Sequence, residues 1–297
     1  MNGREQAFMF KCEQDELCGI LHYPLLLPEQ DQVAKRGILV VVGGPQYRVG
    51  SHRQFVLLAR FLADQGIPVM RFDYRGIGDS KAKPRTFESI DIDIHCAIDT
   101  FLEKMSGMNE VVIWGLCDAA SAASFYAPND PRVTGLVLLN PWVRTEAGIA
   151  KAYLKHYYLA RLVDRSFWRK LIHGEFEFIL SIKSLMSMIA SSLGLKIHGT
   201  SDEVRHEVGP ALMSGSLPER MLAGLKAYRG RVLFILSGDD LTADEFRDVV
   251  NSSEQWQSFL REPHVDQYEL AEANHTFSRR VWRDRVAGLT SDWLNSW

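Results

Sequence analysis

The chain keeps returning to the same pattern: a short apolar run that ends in a turn, then an amphipathic helix. Gly37–Val42 reads GILVVV, a β-branched run with no polar alternation. Such a run suits a strand covered on both faces, because a half-exposed strand alternates apolar and polar residues. Similar runs occupy Pro68–Asp73, Glu110–Gly115, Val133–Asn140, Arg231–Ser237 and Val265–Leu270. Between them, His52–Gln65, Ser89–Met105, Asp118–Tyr126, Asp244–Leu260 and Phe277–Trp297 carry apolar residues at helical spacing or small residues suited to close packing. Ala7–Lys11 and Leu17–Tyr23, joined by the polar turn Glu13–Glu16, read as a hairpin. Strands alternating with helices predict a mostly parallel sheet with helices on both faces.

One stretch breaks the rhythm. From about Arg144 to Tyr228 no strand-like run appears, and Ala147–Val163, Arg165–Leu171, Glu175–Leu193 and Leu217–Lys226 read as helices. The expected organisation is a core of residues 1–143 and 229–297 with a helical insertion over 144–228. Ligands of open α/β sheets bind outside the carboxyl ends of the strands. An insertion after the strand ending at Asn140 would therefore act as a lid. Between Arg144 and Lys183 it carries eight basic residues against four acidic ones, interleaved with Tyr153, Tyr157, Tyr158, Phe167, Trp168, Phe176 and Phe178. One reading is a lid for an acyl substrate with an anionic group, in transient contact with a membrane surface. The plainer reading, which we prefer, is helices that pack aromatics on the sheet and show charge to solvent.

The chemistry concentrates at Val111–Ser121, VVIWGLCDAAS. An apolar strand runs into Gly115, one residue intervenes, then Cys117, then small residues open a helix. This is the strand–turn–helix setting of a nucleophile elbow, whose tight turn needs small residues two before and two after the nucleophile; Gly115 and Ala119 satisfy that. A helix N-terminus behind the sulfur favours thiolate over thiol. The alternative is a buried thiol that merely packs. The Asp118 carboxylate could raise the thiol pKa if it points inward, while its backbone N–H suits an oxyanion donor. A second donor should follow Gly37–Val42, where the chain reads Gly43-Gly44-Pro45-Gln46-Tyr47-Arg48. Pro45 has no N–H, which leaves Gly44 or Gln46, with Gln46 favoured. His52 and Arg53 suit capping and surface roles better than contact with an anionic substrate.

On a sheet of this kind the acid and the base follow the nucleophile in that order. Gly238-Asp239-Asp240-Leu241-Thr242 follows the strand Arg231–Ser237, and Asp240 is preferred to Asp239 as the acid. His275 lies in the loop after Val265–Leu270; His264, the other histidine beyond the acid, precedes its strand. Cys117, His275 and Asp240 together predict nucleophilic catalysis by a thiol–imidazole pair, with no metal or cofactor. Asp73–Ser80, DYRGIGDS, lacks the third glycine and the ribose-binding acid of a dinucleotide fingerprint. It reads as a turn that braces the site.

These segments resemble the exosortase A system-associated hydrolase 1 group of the α/β-hydrolases. The segments that carry it are Val42–Arg48, Asp73–Ser80, Trp114–Ala120, Ser237–Thr242 and Asn274–Phe277; Asp73–Ser80 is generic to the superfamily, and the loop Gly43–Arg48 together with Trp114–Ala120 is the more specific. The resemblance spans nearly the whole chain. It implies an α/β-hydrolase fold, a bacterial origin and genes clustered with exopolysaccharide production and protein sorting, but no established substrate. Dienelactone hydrolases, which also use cysteine, resemble this chain only at the elbow.

Composition narrows the class. A net charge of −3 lacks the basic excess of a nucleic-acid binder. Cys12, Cys18, Cys96 and Cys117 form no CxxC pair and no zinc-ligand spacing, so reduced thiols in a cytoplasmic protein are expected. No signal-peptide h-region or membrane-length apolar run appears. Three functions fit: an acyl hydrolase acting on a small-molecule ester or thioester, an acyltransferase using the same acyl-cysteine, and a non-catalytic scaffold on the same fold. The triad order argues against the third; the first two need the same nucleophile and oxyanion hole, and the sequence does not separate them.

Overall fold

A computed structural model describes residues 4–25, 34–144 and 215–297. Eight strands form one sheet: β1 (Glu5–Cys12), β2 (Asp15–His22), β3 (Arg36–Val41), β4 (Val69–Asp73), β5 (Glu110–Leu116), β6 (Val133–Leu139), β7 (Arg231–Asp239) and β8 (Val265–Asn274). Their order is β1-β2-β4-β3-β5-β6-β7-β8. The β1–β2 hairpin and the β2–β4 pair are antiparallel, and every pair from β4–β3 to β7–β8 is parallel. The described helices are α1 (Gln54–Asp64), α2 (Asp91–Lys104), α3 (Asp118–Tyr126), α4 (Leu217–Ala227), α5 (Leu241–Asn251), α6 (Glu254–Phe259) and α7 (Arg280–Leu294). This is the α/β-hydrolase fold.

The apolar runs do what their composition dictates. Ile38, Leu39, Val40 and Val41 of β3 and Val111, Val112 and Ile113 of β5 are fully buried, since helices cover both faces of the central sheet. At the edge, β8 is largely exposed, and it runs four residues beyond the expected Leu270, up to the residue before His275. A single helix over Asp244–Leu260 is not what forms. Ser253 interrupts it by accepting a hydrogen bond from the Trp256 N–H, capping a second helix.

The chain divides into a unit of Met1–Val143 with Pro218–Trp297 and a second unit of Arg144–Leu217. Helix α4, expected at the end of the insertion, belongs to the first unit from Pro218 onward. Its Met221, Leu222 and Leu225 are buried in the core cluster, and Gly224 lies against the Ser124 carbonyl where no side chain would fit. The division between the two units thus falls at Leu217. The other helices expected there, and the basic aromatic stretch, lie outside the described residues. None of the described helices is long and apolar enough to cross a membrane.

Candidate active site

Cys117 stands between β5 and α3 with φ 65° and ψ −126°. A non-glycine residue pays for positive φ in strain, and such strain persists where the surroundings enforce it. Here they do. The Cys117 N–H donates to the Leu139 carbonyl at 2.9 Å, and the Cys117 carbonyl accepts from Ala120 N at 3.0 Å and Trp142 N at 3.2 Å. Gly115 faces the backbone of Ala119, and a Cβ there would meet it at 2.7 Å. The sulfur-bearing residue is partly exposed, whereas Cys12 and Cys18 are buried.

Asp240 and His275 meet. The His275 Nδ1 lies 2.9 Å from Asp240 Oδ2. A carboxylate only accepts, so Nδ1 carries a proton; in the neutral imidazole the lone pair is then on Nε2. Asp240 also caps α5, accepting from Thr242 N and Ala243 N at 3.2 Å each. Its side chain is 6% exposed against 32% for His275. Asp239, the last residue of β7, is exposed.

The loop after β3 is held by charge. The Gly44 N–H donates to Asp118 Oδ1 at 2.6 Å, and Gly43 packs so closely on the Leu116 carbonyl and the Asp118 carboxylate that a Cβ would overlap both. The Gln46 N–H donates to the Gly44 carbonyl at 2.8 Å. Both candidate loop donors are thus engaged within the chain, and a loop contribution to an oxyanion requires one of these bonds to open. The Asp118 amide, in the first turn of α3, has no carbonyl acceptor within the helix, and it too is turned toward the Asp118 carboxylate, so it must leave that carboxylate to serve an oxyanion. Burial raises the Asp118 pKa; hydrogen bonds from Gly44 and Ala119 and the nearby His275 oppose that rise. Further along the loop, Arg48 donates its backbone N–H to Asp73 Oδ1 at 2.6 Å, and its guanidinium bridges Asp73 and Asp79. The Asp79 N–H donates to Asp73 Oδ2 at 3.0 Å, and Gly78 leaves room for that carboxylate. The DYRGIGDS segment therefore braces the loop through Asp73.

Sequence reasoning missed the residues that tie the strand ends together. Asn140, fully buried with φ 41°, donates from Nδ2 to the His275 carbonyl at 3.0 Å and to Ser237 Oγ at 2.8 Å. Its Oδ1 accepts from the Ser237 N–H at 2.8 Å, and Ser237 Oγ donates to the Asn274 carbonyl at 2.9 Å. The signal available was a polar residue closing an otherwise apolar strand, just before Pro141.

A strand–elbow–helix with a cysteine at its apex and an Asp–His pair at the ends of β7 and β8 belongs to the α/β-hydrolase class. Residues 34–191, more than half of the chain, match the Hydrolase_4 family, described as serine aminopeptidase, S33. The chain belongs to this family, with cysteine at the elbow. Human Protein ABHD12B is 31% identical over 178 residues, covering 56% of this chain. The chain spans about half of that protein's length, 45%. Among solved structures, the Pyrococcus furiosus esterase Pf2001 has a TM-score of 0.61 at 14% identity, covering 99% of this chain and 92% of its own. Est1E from Butyrivibrio proteoclasticus, with ferulic acid bound, has a TM-score of 0.61 at 15% identity and 98% coverage of both chains. At these identities the likeness is one of fold.

Proposed function

We propose that this chain is an acyl hydrolase that cleaves an ester or thioester through an acyl-cysteine on Cys117. The observation that carries the reading is the strained elbow at Cys117, φ 65° and ψ −126°, on the same sheet edge as a His275 whose Nδ1 is held by Asp240. His275 Nε2 takes the thiol proton as the sulfur attacks the acyl carbonyl, forming a C–S bond and an oxyanion. The Asp118 amide stabilises that oxyanion, joined by Gln46 or Gly44 when the loop donor is released. As the bond to the leaving oxygen or sulfur breaks, His275 returns the proton to it. Water then attacks the acyl-cysteine, gives its proton to His275, and the acid departs with the thiol restored. Asp240 keeps the imidazole in the tautomer that makes both transfers possible. The loop Val42–Arg48 and the elbow Trp114–Ala120 support membership of the exosortase A system-associated hydrolase 1 group.

The test is turnover of short- and long-chain nitrophenyl esters and acyl thioesters by wild type and Cys117→Ala, with mass spectrometry of the trapped enzyme. We expect turnover by wild type, an acyl mass on Cys117, and no turnover by a folded Cys117→Ala. Retained activity in Cys117→Ala would end the reading. Transfer of the acyl group to an added sugar in preference to water would make the chain a transferase. An aminoacyl nitroanilide tests the amide cleavage in the family's description.

A further inference from the structure

We propose that Asn140-Pro141-Trp142 is a hydrogen-bonded bracket that fixes where His275 stands relative to Cys117, with Asn140 and Ser121 as positioning residues. The inference rests on the Cys117–His275 reading above and extends it to residues that touch neither sulfur nor imidazole.

The tripeptide follows β6, the strand between the one that leads to Cys117 and the one that leads to Asp240. One end grips the elbow. The Trp142 N–H donates to the Cys117 carbonyl at 3.2 Å, and the Trp142 carbonyl accepts from Ser121 Oγ, in the first turns of α3, at 2.6 Å. The other end grips the base loop, where Asn140 Nδ2 donates to the His275 carbonyl at 3.0 Å. Pro141 joins the ends with a fixed φ, so the link has little slack. Asn140 itself cannot shift freely. Its N–H donates to the Ile235 carbonyl at 3.2 Å, and its carboxamide is spent on Ser237 and His275 in a site with no exposure. A buried amide with its donors and acceptor satisfied is costly to rearrange. Cys117 and His275 are thus coupled through a stiff covalent piece only one residue long between its two grips, as well as through the sheet. Small displacements of a base from its nucleophile are expensive in rate.

The experiment follows iodoacetamide alkylation of Cys117 across pH in the full chain, by peptide mass spectrometry, alongside kcat, KM and melting temperature. His275→Ala in the wild-type background is the reference for a lost imidazole. Asn140→Ala should slow alkylation near neutral pH by about tenfold and move its pH midpoint toward that of His275→Ala. Kcat should fall with it while KM holds. Asn140→Asp is close to isosteric and keeps an acceptor for the Ser237 N–H but loses, when ionised, the donor to His275. It should share the shift. Ser121→Ala removes the hydroxyl's bond to the Trp142 carbonyl and reads the bracket from its other end, with a smaller shift in the same direction. If Asn140→Ala does not fold, the other two variants decide. Wild-type alkylation profiles and kcat in the folded variants, with only a lower melting temperature, would reduce Asn140 to a strand-end tie and overturn the proposal. Should His275→Ala itself leave the wild-type profile unmoved, the Cys–His pairing fails first and the bracket falls with it. A bracket failure alone is therefore distinct: His275→Ala shifts the profile and Asn140→Ala does not.

Discussion

The two loops that flank Cys117 are held in opposite ways. On the β3 side, residues 43–48 are fastened by ions: Asp118 to the Gly44 amide, and Asp73 to the amide and guanidinium of Arg48. On the β8 side, residues 274–278 are fastened mostly by neutral groups: Asn140 to His275, Ser237 to Asn274, and Asn274 to Ser278, with Asp240 the one charged group hydrogen-bonded there among the described residues. The difference suits the work proposed for each side. A base that alternates between neutral and protonated is best framed by dipoles that do not titrate with it. A loop that presents amides to a developing negative charge can tolerate carboxylates only behind it, where they are already spent on N–H groups. The side held by charge should therefore respond to neutralising substitutions in stability, and the other side chiefly in rate.

The sharpest test of that contrast is Asp240→Asn. Asparagine can still cap α5 through its carbonyl oxygen, so the helix should survive while the imidazole loses its fixed tautomer. Kcat should fall by about 10³–10⁴-fold in steady-state assays, with a near-native melting temperature. Asp239→Asn, on an exposed side chain, should leave kcat within about twofold, because it removes no contact of the imidazole. A collapse of stability in Asp240→Asn would mean that this side, too, is held by its charge.

On the ionic side, Asp73→Asn should cost on the order of 3 kcal/mol in urea unfolding, since it weakens the acceptor of two backbone N–H groups and leaves the Arg48 guanidinium only the exposed Asp79 as a charged partner. Arg48 and Asp73 side chains are 13% and 0% exposed, so solvent offers little compensation.

The smallest effect belongs to Asp118. Its folded pKa is raised, chiefly by burial. A carboxyl group with a raised folded pKa binds more protons folded than unfolded in the window above its ordinary value. Stability falls as pH rises through that window and then levels off. Asp118→Asn should flatten this decline between ordinary carboxylate titration and neutrality, measured by melting at a series of pH values. An identical pH slope in wild type and variant would show that the carboxylate's bonds to Gly44 and Ala119 cancel its burial.

Much of this was legible in the sequence because burial on both faces of a sheet leaves an unmistakable apolar run. β3, β5, β6 and β7 needed little more than that. The elbow was legible for a similar reason: Gly115 and Ala119 are small because backbone stands against them. Other features were not. Asp239 and Asp240 differ by one position, and a strand turns its side chains by half a revolution per residue; only the point where β7 stops and α5 starts decides which carboxylate faces His275. Asn140 looked like any polar residue after a strand, because its partners Ser237 and His275 lie 97 and 135 positions away. The break between α5 and α6 was written in Ser252-Ser253, but helical periodicity continues across it. Nor did the sequence tell that α4 groups with the first unit from Pro218 onward, because α4 is amphipathic and periodicity does not tell which body a helix packs against.

Asp240 does two jobs with one carboxylate: it begins α5 and it steers His275. Warming that frays the first turn of α5 loosens the same side chain that aims the imidazole. If Asp240 serves the proposed reaction, heat inactivation should track a local event at one helix end: protein held just below its melting temperature should lose turnover while its circular dichroism stays intact.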